Sequence, residues 1–501
     1  MTFSTPYFYL VFLPITLLGY EIFGAFGRRS AIFFLAFMSC VFYAKWNKYY
    51  LFLLLGSIAM NYLFAVLIAR MADRPRRQSL SLTAGIVANL ALLCYFKYLF
   101  PALNFVTSVS GMHHFWRSVI LPLGISFFTF TQIAYLVDLK QGVAGLESPL
   151  SYTLFVTFFP HLIAGPIIHH KEIMPQFGPG RHFRLNRSDV TLGLTWFAMG
   201  MFKKVMLADR IAPAADALYA NPHGITTFTA WYGVLAYAMQ LYFDFSGYSD
   251  MALGLARMFS IEFPLNFNSP YKSSNIIDFW QRWHITLTRY IMNYLYSPMQ
   301  QVISRWRLDR GKKISRRAME TTEGFSQMVA FPTAFTLFIA GIWHGAGVQF
   351  LIFGVLHGVY LVINHAWRLF VPSGSRARRI FDTPISVVLT FLCVVAAQVL
   401  FRADSLHDAF VVFGDLLGRH GVGDHPAPAE LVFLVVLFLI VWLLPNTQEI
   451  LDQTQHGDQP NRVCVHMRWS PNLPWWMATT ASFLVSMFYS GATKTFLYFQ
   501  F

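Results

Sequence analysis

The sequence predicts an all-α polytopic membrane protein. Hydrophobic residues make up 55% of its 501 residues and charged residues only 12%, with a mean hydropathy of +0.47. Because one crossing of a bilayer takes about 20 apolar residues, this content allows on the order of 10 to 13 transmembrane and re-entrant helices. No long polar linker separates the apolar runs, so we expect a single membrane-embedded domain over residues 1–501.

The charge pattern indicates topology rather than nucleic-acid binding. The net charge is +14, but the basic residues lie in short loops between apolar runs, as the positive-inside rule describes. Arginines follow the first apolar run, about 6–26, and the third, which places both clusters in the cytoplasm and the N-terminus on the opposite side of the membrane. We expect the first run to be a membrane span that is kept in the mature protein rather than a cleaved signal peptide. The four cysteines are scattered without CxxC spacing and predict neither a disulfide framework nor a metal site.

The sequence predicts a surface position for two groups of histidines. His113 and His114, with Arg117, fall in an expected external loop. The stretch 151–177 is too short and too broken by proline and glycine to cross a membrane, and a re-entrant element lining a cavity fits it best. His169, His170 and Lys171 follow in a basic stretch and are expected at the interface, facing lipid phosphates or solvent.

Polar residues then enter an apolar run at 231–259. Gln240 and Asp244 lie four residues apart and share a helix face, so they can pair or bind a common partner. Asp250 lies roughly 120° away from Asp244 and needs a different partner. A structural role in holding facing helices together is favoured over a proton relay.

The segment 264–298 has the Trp, Tyr, Arg and Asn content of an interfacial or cavity-lining helix. Ser273, Ser274 or Asn275 is expected to cap it, and Asp278 and Arg282 are spaced to pair. His284 follows among tryptophans and can be a packing residue or a catalytic one. The very basic loop 301–317 is expected in the cytoplasm, beside anionic lipid.

The most informative stretch is 331–358, FPTAFTLFIAGIWHGAGVQFLIFGVLHG. An ionisable residue at membrane depth, here His344 beside Trp343, is a functional hypothesis by default. The glycines around it let a helix break or another chain approach the ring. His357 lies roughly 140° away on a continuous helix, so the two histidines share a site only if the helix is interrupted.

These residues favour general-base chemistry on a hydroxyl group. GxSxG and HExxH patterns are absent from the sequence, and a histidine holds and releases protons near neutrality. His344 would take the proton of an acceptor hydroxyl as it attacks a thioester carbonyl.

Four spaced motifs resemble those of the membrane-bound O-acyltransferase superfamily. They are FFPHLIAGPI (158–167), YFDFSGYSDMALG (242–254), DFWQRWHITL (278–287) and GIWHGAGVQFLIFGVLHG (341–358). The match is to the bacterial branch that includes the alginate O-acetylation protein and the D-alanyl transfer protein of teichoic acid. The resemblance implies helices around a central funnel or tunnel, divided into N-terminal spans (1–145), a catalytic core (146–370) and C-terminal spans (371–501).

The resemblance also implies roles for residues. His344 would be the essential base and His284 its helper, while His357 would be structural. The residue pattern itself, apart from the resemblance, predicts cavity or structural support from Trp343, Gln240, Asp244, Asp250, Asp278 and Arg282. The donor would be acetyl-CoA acting as a substrate, with no permanently bound cofactor and no metal. The partners would be a periplasmic acetyl-accepting protein, the polysaccharide biosynthesis machinery and membrane lipids, at a bacterial inner membrane.

Three functions remain at this stage. The first is O-acetylation of an exported polysaccharide, alginate-like or other, or of peptidoglycan. The second is D-alanyl transfer to teichoic acid, although the C-terminal FLYFQF resembles the acetylating proteins more. The third, from a different class, is a transporter in which Asp244, Asp250 and His344 carry protons; transporters more often show paired repeats.

Overall fold

A computed structural model describes residues 2–110, 119–180, 183–372, 374–376, 378, 384–451, 467–492 and 496–497. Helices form throughout these ranges, and no strand occurs in them. The predicted surface residues His113, His114 and Arg117 lie outside the described residues. The all-α prediction is confirmed.

The main helices, in chain order, are α1 (Phe8–Ala25), α2 (Arg28–Ala44), α3 (Lys48–Arg70), α4 (Pro75–Val109), α5 (Ile125–Lys140), α6 (Pro149–Thr157), α7 (Arg187–Ala220), α8 (Thr227–Met258), α9 (Ile276–Arg282), α10 (Ile285–Ile291), α11 (Ser297–Asp309), α12 (Thr322–His344), α13 (Val348–Phe370), α14 (Pro384–Arg402), α15 (Leu406–Leu416), α16 (Pro428–Leu443) and α17 (Leu473–Tyr489). Within the described ranges, seven are long and apolar enough to cross a bilayer: α1, α3, α4, α7, α12, α13 and α14.

The described residues group into two compact units. The first comprises Met1–Met206, Phe245–Leu265 and Trp469–Gln500, and the second comprises Leu207–Asp244 and Asn266–Arg468. The candidate catalytic histidines, His284 and His344, both belong to the second unit. The division into a core at 146–370 flanked by N-terminal and C-terminal spans stays a prediction.

The stretch 151–177 is broken, as the sequence predicts. After α6 it continues as short helical pieces, Phe159–Leu162 and His170–Ile173, with irregular backbone between them. The surface interpretation of two of its histidines is wrong, because His169 and His170 are only 2% and 6% exposed. His170 Nδ1 lies 3.2 Å from Asp138 Oδ2 on α5. The buried ring therefore has a carboxylate from another helix as its neighbour.

Close backbone contacts hold α7 against α8 in the first unit. A Cβ built on Gly200 would lie 2.6 Å from the carbonyl oxygen of Gly247, and a Cβ on Gly193 would lie 2.5 Å from that of Gly254. Glycine at these positions lets the two helices approach, which is how small residues stabilise membrane helix pairs. The same two helices are joined by an ion pair, in which Asp250 Oδ2 lies 2.7 Å from Lys203 Nζ. Lys203 is thus the separate partner that the sequence predicts for Asp250.

These contacts predict that replacing glycine by alanine changes the stability of the protein differently at two positions, Gly200 and Gly56. Gly200→Ala should destabilise the protein by about 1–3 kcal/mol, since the added methyl group meets fixed backbone. Gly56→Ala on α3 is the matched control, because a Cβ there meets nothing within 4 Å. It should be neutral or stabilising by up to about 1 kcal/mol through helix propensity. Thermal unfolding of both variants in detergent measures the difference, and equal midpoints would contradict the contact.

Candidate functional site

His344 lies at the turn of a helical hairpin. It is the last residue of α12, the turn covers Gly345–Gly347, and α13 begins at Val348. The helix is therefore interrupted between His344 and His357, which is the condition under which the sequence lets the two share a site. His344 is half-buried.

Aromatic rings surround the His344 imidazole. The ring centroids of Trp343, Phe401 and Phe353 lie 4.7, 5.1 and 5.7 Å from it, all edge-on. Trp343 and Phe401 are buried, at 7% exposure each. Packing from α12, α13 and α14 thus fixes the direction of a ring that would otherwise rotate freely at a helix end. Neither Phe353 nor Phe401 was identified from the sequence, because apolar residues in apolar helices carry no functional signal.

His357 lies one step further along the same aromatic cluster. Its ring centroid is 4.7 Å from Phe353 and 5.0 Å from Trp280, and it is only 2% exposed. Phe353 therefore contacts both histidines of the hairpin. These contacts are those of a packing residue, and the structural role expected for His357 stays a prediction.

His284 separates the two short helices α9 and α10. Its backbone is left-handed, with φ +44° and ψ +52°, a conformation that costs a residue with a side chain about 1–3 kcal/mol. The strain bends the chain between Arg282 and Ile285, so the interfacial helix expected from the sequence is two helices. Strain of this kind persists only where surrounding contacts fix the residue.

Asn266 supplies the contacts that fix His284. Its side-chain oxygen lies 2.9 Å from His284 Nδ1 and also accepts hydrogen bonds from Thr286 N at 3.4 Å and Thr286 Oγ1 at 2.9 Å. A backbone N–H can only donate, so the atom facing it is the amide oxygen. His284 Nδ1 must then donate to that oxygen, which leaves Nε2 with the lone pair in the neutral ring.

Burial keeps the His284 ring neutral. The residue is 2% exposed, and burial lowers its pKa to about 3. At neutral pH it is therefore a neutral imidazole whose Nε2 can act only as a hydrogen-bond acceptor. Asn266 could not be identified from the sequence. It lies 18 residues before His284, and no local pattern in residues 264–268 indicates that its side chain contacts this histidine.

The helix that carries the start of the third motif, DFWQRWHITL, begins as the sequence predicts. Asn275 caps α9 by accepting a hydrogen bond from Asp278 N at 3.0 Å. Arg282 Nε lies 2.7 Å from Asp278 Oδ1, so the predicted pairing is confirmed. The guanidinium also donates to Asn268 O at 3.4 Å, which ties the end of α9 to the loop before it.

Ring contacts connect the two candidate catalytic histidines. From His344 they pass through Phe353, His357 and Phe279 to Trp283, with centroid separations of 4.7 to 6.4 Å. The contacts continue from Trp283 to Phe267, whose ring centroid lies 5.1 Å away, and then from Phe267 to His284, whose ring centroid lies 6.4 Å from that of Phe267. All of these residues belong to the second compact unit. The structure therefore places both histidines on one continuous aromatic framework.

The polar residues of α8 divide between the two units. Gln240 and Asp244 are buried in the second unit, at 5% and 2% exposure, and Asp250 belongs to the first. Gln240 Oε1 makes no hydrogen bond with any residue the structure describes, and the pairing of Gln240 with Asp244 stays a prediction. Over the described ranges, no group of three His, Cys, Asp or Glu side chains could hold a metal.

Comparison with known proteins places this arrangement in a family. Residues 38–310 match the model of the membrane-bound O-acyltransferase family, a range that includes Asn266 and His284. The chain is 35% identical to the peptidoglycan O-acetyltransferase of Helicobacter pylori over 100% of its own length and 98% of that protein. It is 33% identical to the probable alginate O-acetylase AlgI of Pseudomonas putida over 100% of both chains. It is 27% identical to the teichoic acid D-alanyltransferase of Bacillus subtilis, over 67% of this chain and 82% of that one.

The hydrogen bond of Asn266 predicts energetic coupling to His284. Asn266→Ala should lower stability by about 1–3 kcal/mol, because it leaves the buried His284 Nδ1–H unsatisfied. Adding His284→Ala should then cost much less than it does in the native background, with a coupling free energy of about 0.5–3 kcal/mol. Thermal unfolding of the single and double variants in detergent measures the cycle.

The control for this cycle uses a second buried amide pair. Asn61 and Asn89 bond one another at 2.6 and 3.1 Å and share no hydrogen-bond partner with Asn266. Asn61→Ala and Asn266→Ala should therefore be additive within about 0.5 kcal/mol. Additivity of Asn266→Ala with His284→Ala as well would show that the bond does not fix the ring.

Proposed function

Because the chain belongs to the membrane-bound O-acyltransferase family, we propose that it is a multi-pass membrane O-acetyltransferase acting on an exported polysaccharide or on peptidoglycan. The observation that carries the proposal is the half-buried His344 ring at the α12–α13 turn, held by aromatic side chains and linked to a second, neutral histidine. Relatives that match over the whole chain carry acetyltransferase names. D-alanyl transfer is the weaker candidate, since the relatives with that name match at 26–27% identity over 50–67% of the chain.

The proposed reaction begins with proton removal by His344. As the acceptor hydroxyl attacks the thioester carbonyl of the donor, a ring nitrogen of His344 takes the hydroxyl proton. The new C–O bond forms, and the tetrahedral intermediate expels the thiolate, which receives the proton from the imidazolium. The products are the acetyl ester and a free thiol, and the ring is neutral again. A positioned base of this kind contributes about 10²- to 10⁴-fold to the rate.

The position of His344 suits it to carry the proton for a short time. The ring lies at the carbonyl end of α12, where the aligned peptide dipoles place partial negative charge. That charge stabilises the imidazolium that exists between the two proton transfers. The edges of Trp343, Phe353 and Phe401 limit the access of water to the ring without adding a competing charge.

His284 serves a different purpose in this mechanism. Its pKa of about 3 prevents it from acting as the acid, and Nε2 of the fixed tautomer can only accept a hydrogen bond. We assign it a positioning role, in which the fixed, neutral ring packs on the aromatic framework that leads to His344. Asn266 and the Asp278–Arg282 pair hold the segment that presents it.

The donor proposed for the reaction is cytosolic acetyl-CoA. The basic segment 301–317, predicted as a loop, is helical up to Asp309 in α11. It supports this donor, because Arg316 and Arg317 are exposed and Arg310 lies over Trp306 at 4.0 Å, a surface suited to phosphate groups. The positive-inside rule supports a cytoplasmic position for this segment and a periplasmic N-terminus. The bacterial relatives support a bacterial inner membrane. The acceptor side then faces the periplasm, where an acetyl-accepting protein or the polysaccharide machinery would meet it.

Loss of the base should abolish acetyl transfer without loss of protein. His344→Ala should lower ester formation by about 10²- to 10⁴-fold, while expression and thermal stability stay near native values. His425→Ala, which removes an exposed histidine, is the matched control and should leave the rate unchanged. Envelope ester content in cells that carry each variant as the only copy gives the result; native ester levels with His344→Ala would refute the assignment.

Isotope labelling separates the three candidate functions. Cells expressing the native chain should incorporate labelled acetate into base-labile envelope esters. The same cells should not incorporate labelled D-alanine into these esters through this protein. His344→Ala should remove the acetate signal. Incorporation of D-alanine instead would identify the second candidate, and ion flux in liposomes without any thioester would identify a transporter.

A further inference from the structure

A cavity lies in the first compact unit, and none of the residues assigned to catalysis lines it. Its volume is about 780 Å³, within the range of ligand pockets. The walls are one face of α7, one face of α17 and the short segment before α17. Leu194, Phe197 and Phe483 line it, with tryptophans at one end. The lining is mostly apolar.

The lining residues form two stripes that start at the same end. On α7 they begin at Thr191 and end at Ala198, and on α17 they begin with the capping residue Asn472 and end at Phe483. The spacing of 3, 4, 7, 8 and 11 residues on α17 is that of a single helix face. Phe197 and Phe483, near the far ends of both stripes, lie 6.5 Å apart. The two helices therefore run parallel along the cavity.

The length of the cavity matches half a bilayer. Eleven residues of helix, from Asn472 to Phe483, rise about 16 Å. The hydrocarbon core of a bilayer is about 30 Å thick, so one leaflet accounts for about 15 Å. Since α7 is itself long and apolar enough to cross the membrane, its first turns lie within one leaflet.

The open end of the cavity is basic and aromatic. Arg187 lies four residues before Thr191, so it continues the same stripe one turn outside the cavity. Its side chain is exposed and makes no ion pair with any residue in the described ranges. Two helix N-termini begin beside it, and Trp476 is 64% exposed at the rim, as expected of a side chain at the membrane interface.

Two other charged residues of this end, Asp189 and Arg184, are already paired. Asp189 points away from the stripe and lies 2.9 Å from Arg257, while Arg184 lies 3.9 Å from Glu21. Among the residues that the structure describes, Arg187 is therefore a cation near this rim that makes no ion pair and can meet an anionic group. A ligand that fits must combine one apolar chain of about a leaflet's length with a negative charge at its end.

We propose that this cavity binds an anionic phospholipid, with one acyl chain between α7 and α17 and its phosphate at Arg187. The basic stretch that precedes α7 places the site in the cytoplasmic leaflet under the positive-inside rule. The proposal is independent of acetyl transfer, because no catalytic residue lines the cavity. It assigns α17 and the segment before it to a lipid site.

Native mass spectrometry of the purified full chain with phosphatidylglycerol or phosphatidylcholine tests the site. The native protein should retain phosphatidylglycerol, and Thr195→Trp, which fills the cavity, should lower its retention about ten-fold or more. Arg187→Gln should reduce the preference for phosphatidylglycerol over phosphatidylcholine to near unity. Ala478→Trp adds the same side chain to an exposed position of α17 that does not line the cavity, and should retain lipid as the native chain does.

Photocrosslinking locates the lipid. Phosphatidylglycerol with a diazirine in one acyl chain should label peptides of α7 and α17 in the native protein and in Ala478→Trp, and not in Thr195→Trp. Equal retention in all variants, labelling elsewhere, or a lipid-free dimer lost on Thr195→Trp would overturn the proposal. The last result would identify a second copy of the chain as the occupant. Unfolding midpoints confirm that each variant is folded.

Discussion

The contact on which the candidate site depends is the approach of α12 and α13 at two glycines. A Cβ on Gly341 would lie 2.6 Å from Phe350 O, and a Cβ on Gly354 would lie 2.4 Å from Leu337 O. Only helices without side chains at these points can meet backbone to backbone. Because they meet, the chain must turn within three residues, and His344 is left at the end of a helix with one side accessible. A continuous span would have placed the same ring among packed apolar side chains.

A second constraint acts at His284, where a local cost is offset by specific contacts. The left-handed backbone there is unfavourable, and the buried ring loses hydration. Asn266 compensates both, since its side chain bonds the ring and its backbone oxygen accepts a hydrogen bond from Ile285 N at 2.9 Å. One residue thus fixes the direction of the chain and the tautomer of the ring. A histidine on a regular helix would have had neither property.

The sequence predicts those parts of the site that depend on local spacing. Asn275 and the pair of Asp278 with Arg282 are separated by three or four residues, and helix geometry alone brings them together. Asn266 and Phe401 could not be predicted, because they reach the histidines through the tertiary fold. His169 and His170 were misplaced for the same reason: a neighbouring basic stretch suggested a surface, while the tertiary fold buries both rings and places Asp138, from another helix, beside His170. The helical class, by contrast, follows from composition, which no tertiary contact can reverse.

The two histidines differ in environment, and this difference argues for a division of roles. A base must exchange its proton with substrates that enter and leave, so it needs an accessible ring whose charged form is tolerated. His344 meets this requirement, being half-buried at the carbonyl end of a helix. An orienting residue needs a fixed direction and a constant protonation state. Burial and the bond from Asn266 give His284 both, and a ring that stays neutral holds the same hydrogen bond throughout the reaction. Exchanging the two environments would give a base that cannot be protonated and an orienting group that changes its charge. The aromatic framework that joins them therefore has to be rigid, because each histidine works only in the surroundings that the fold gives it.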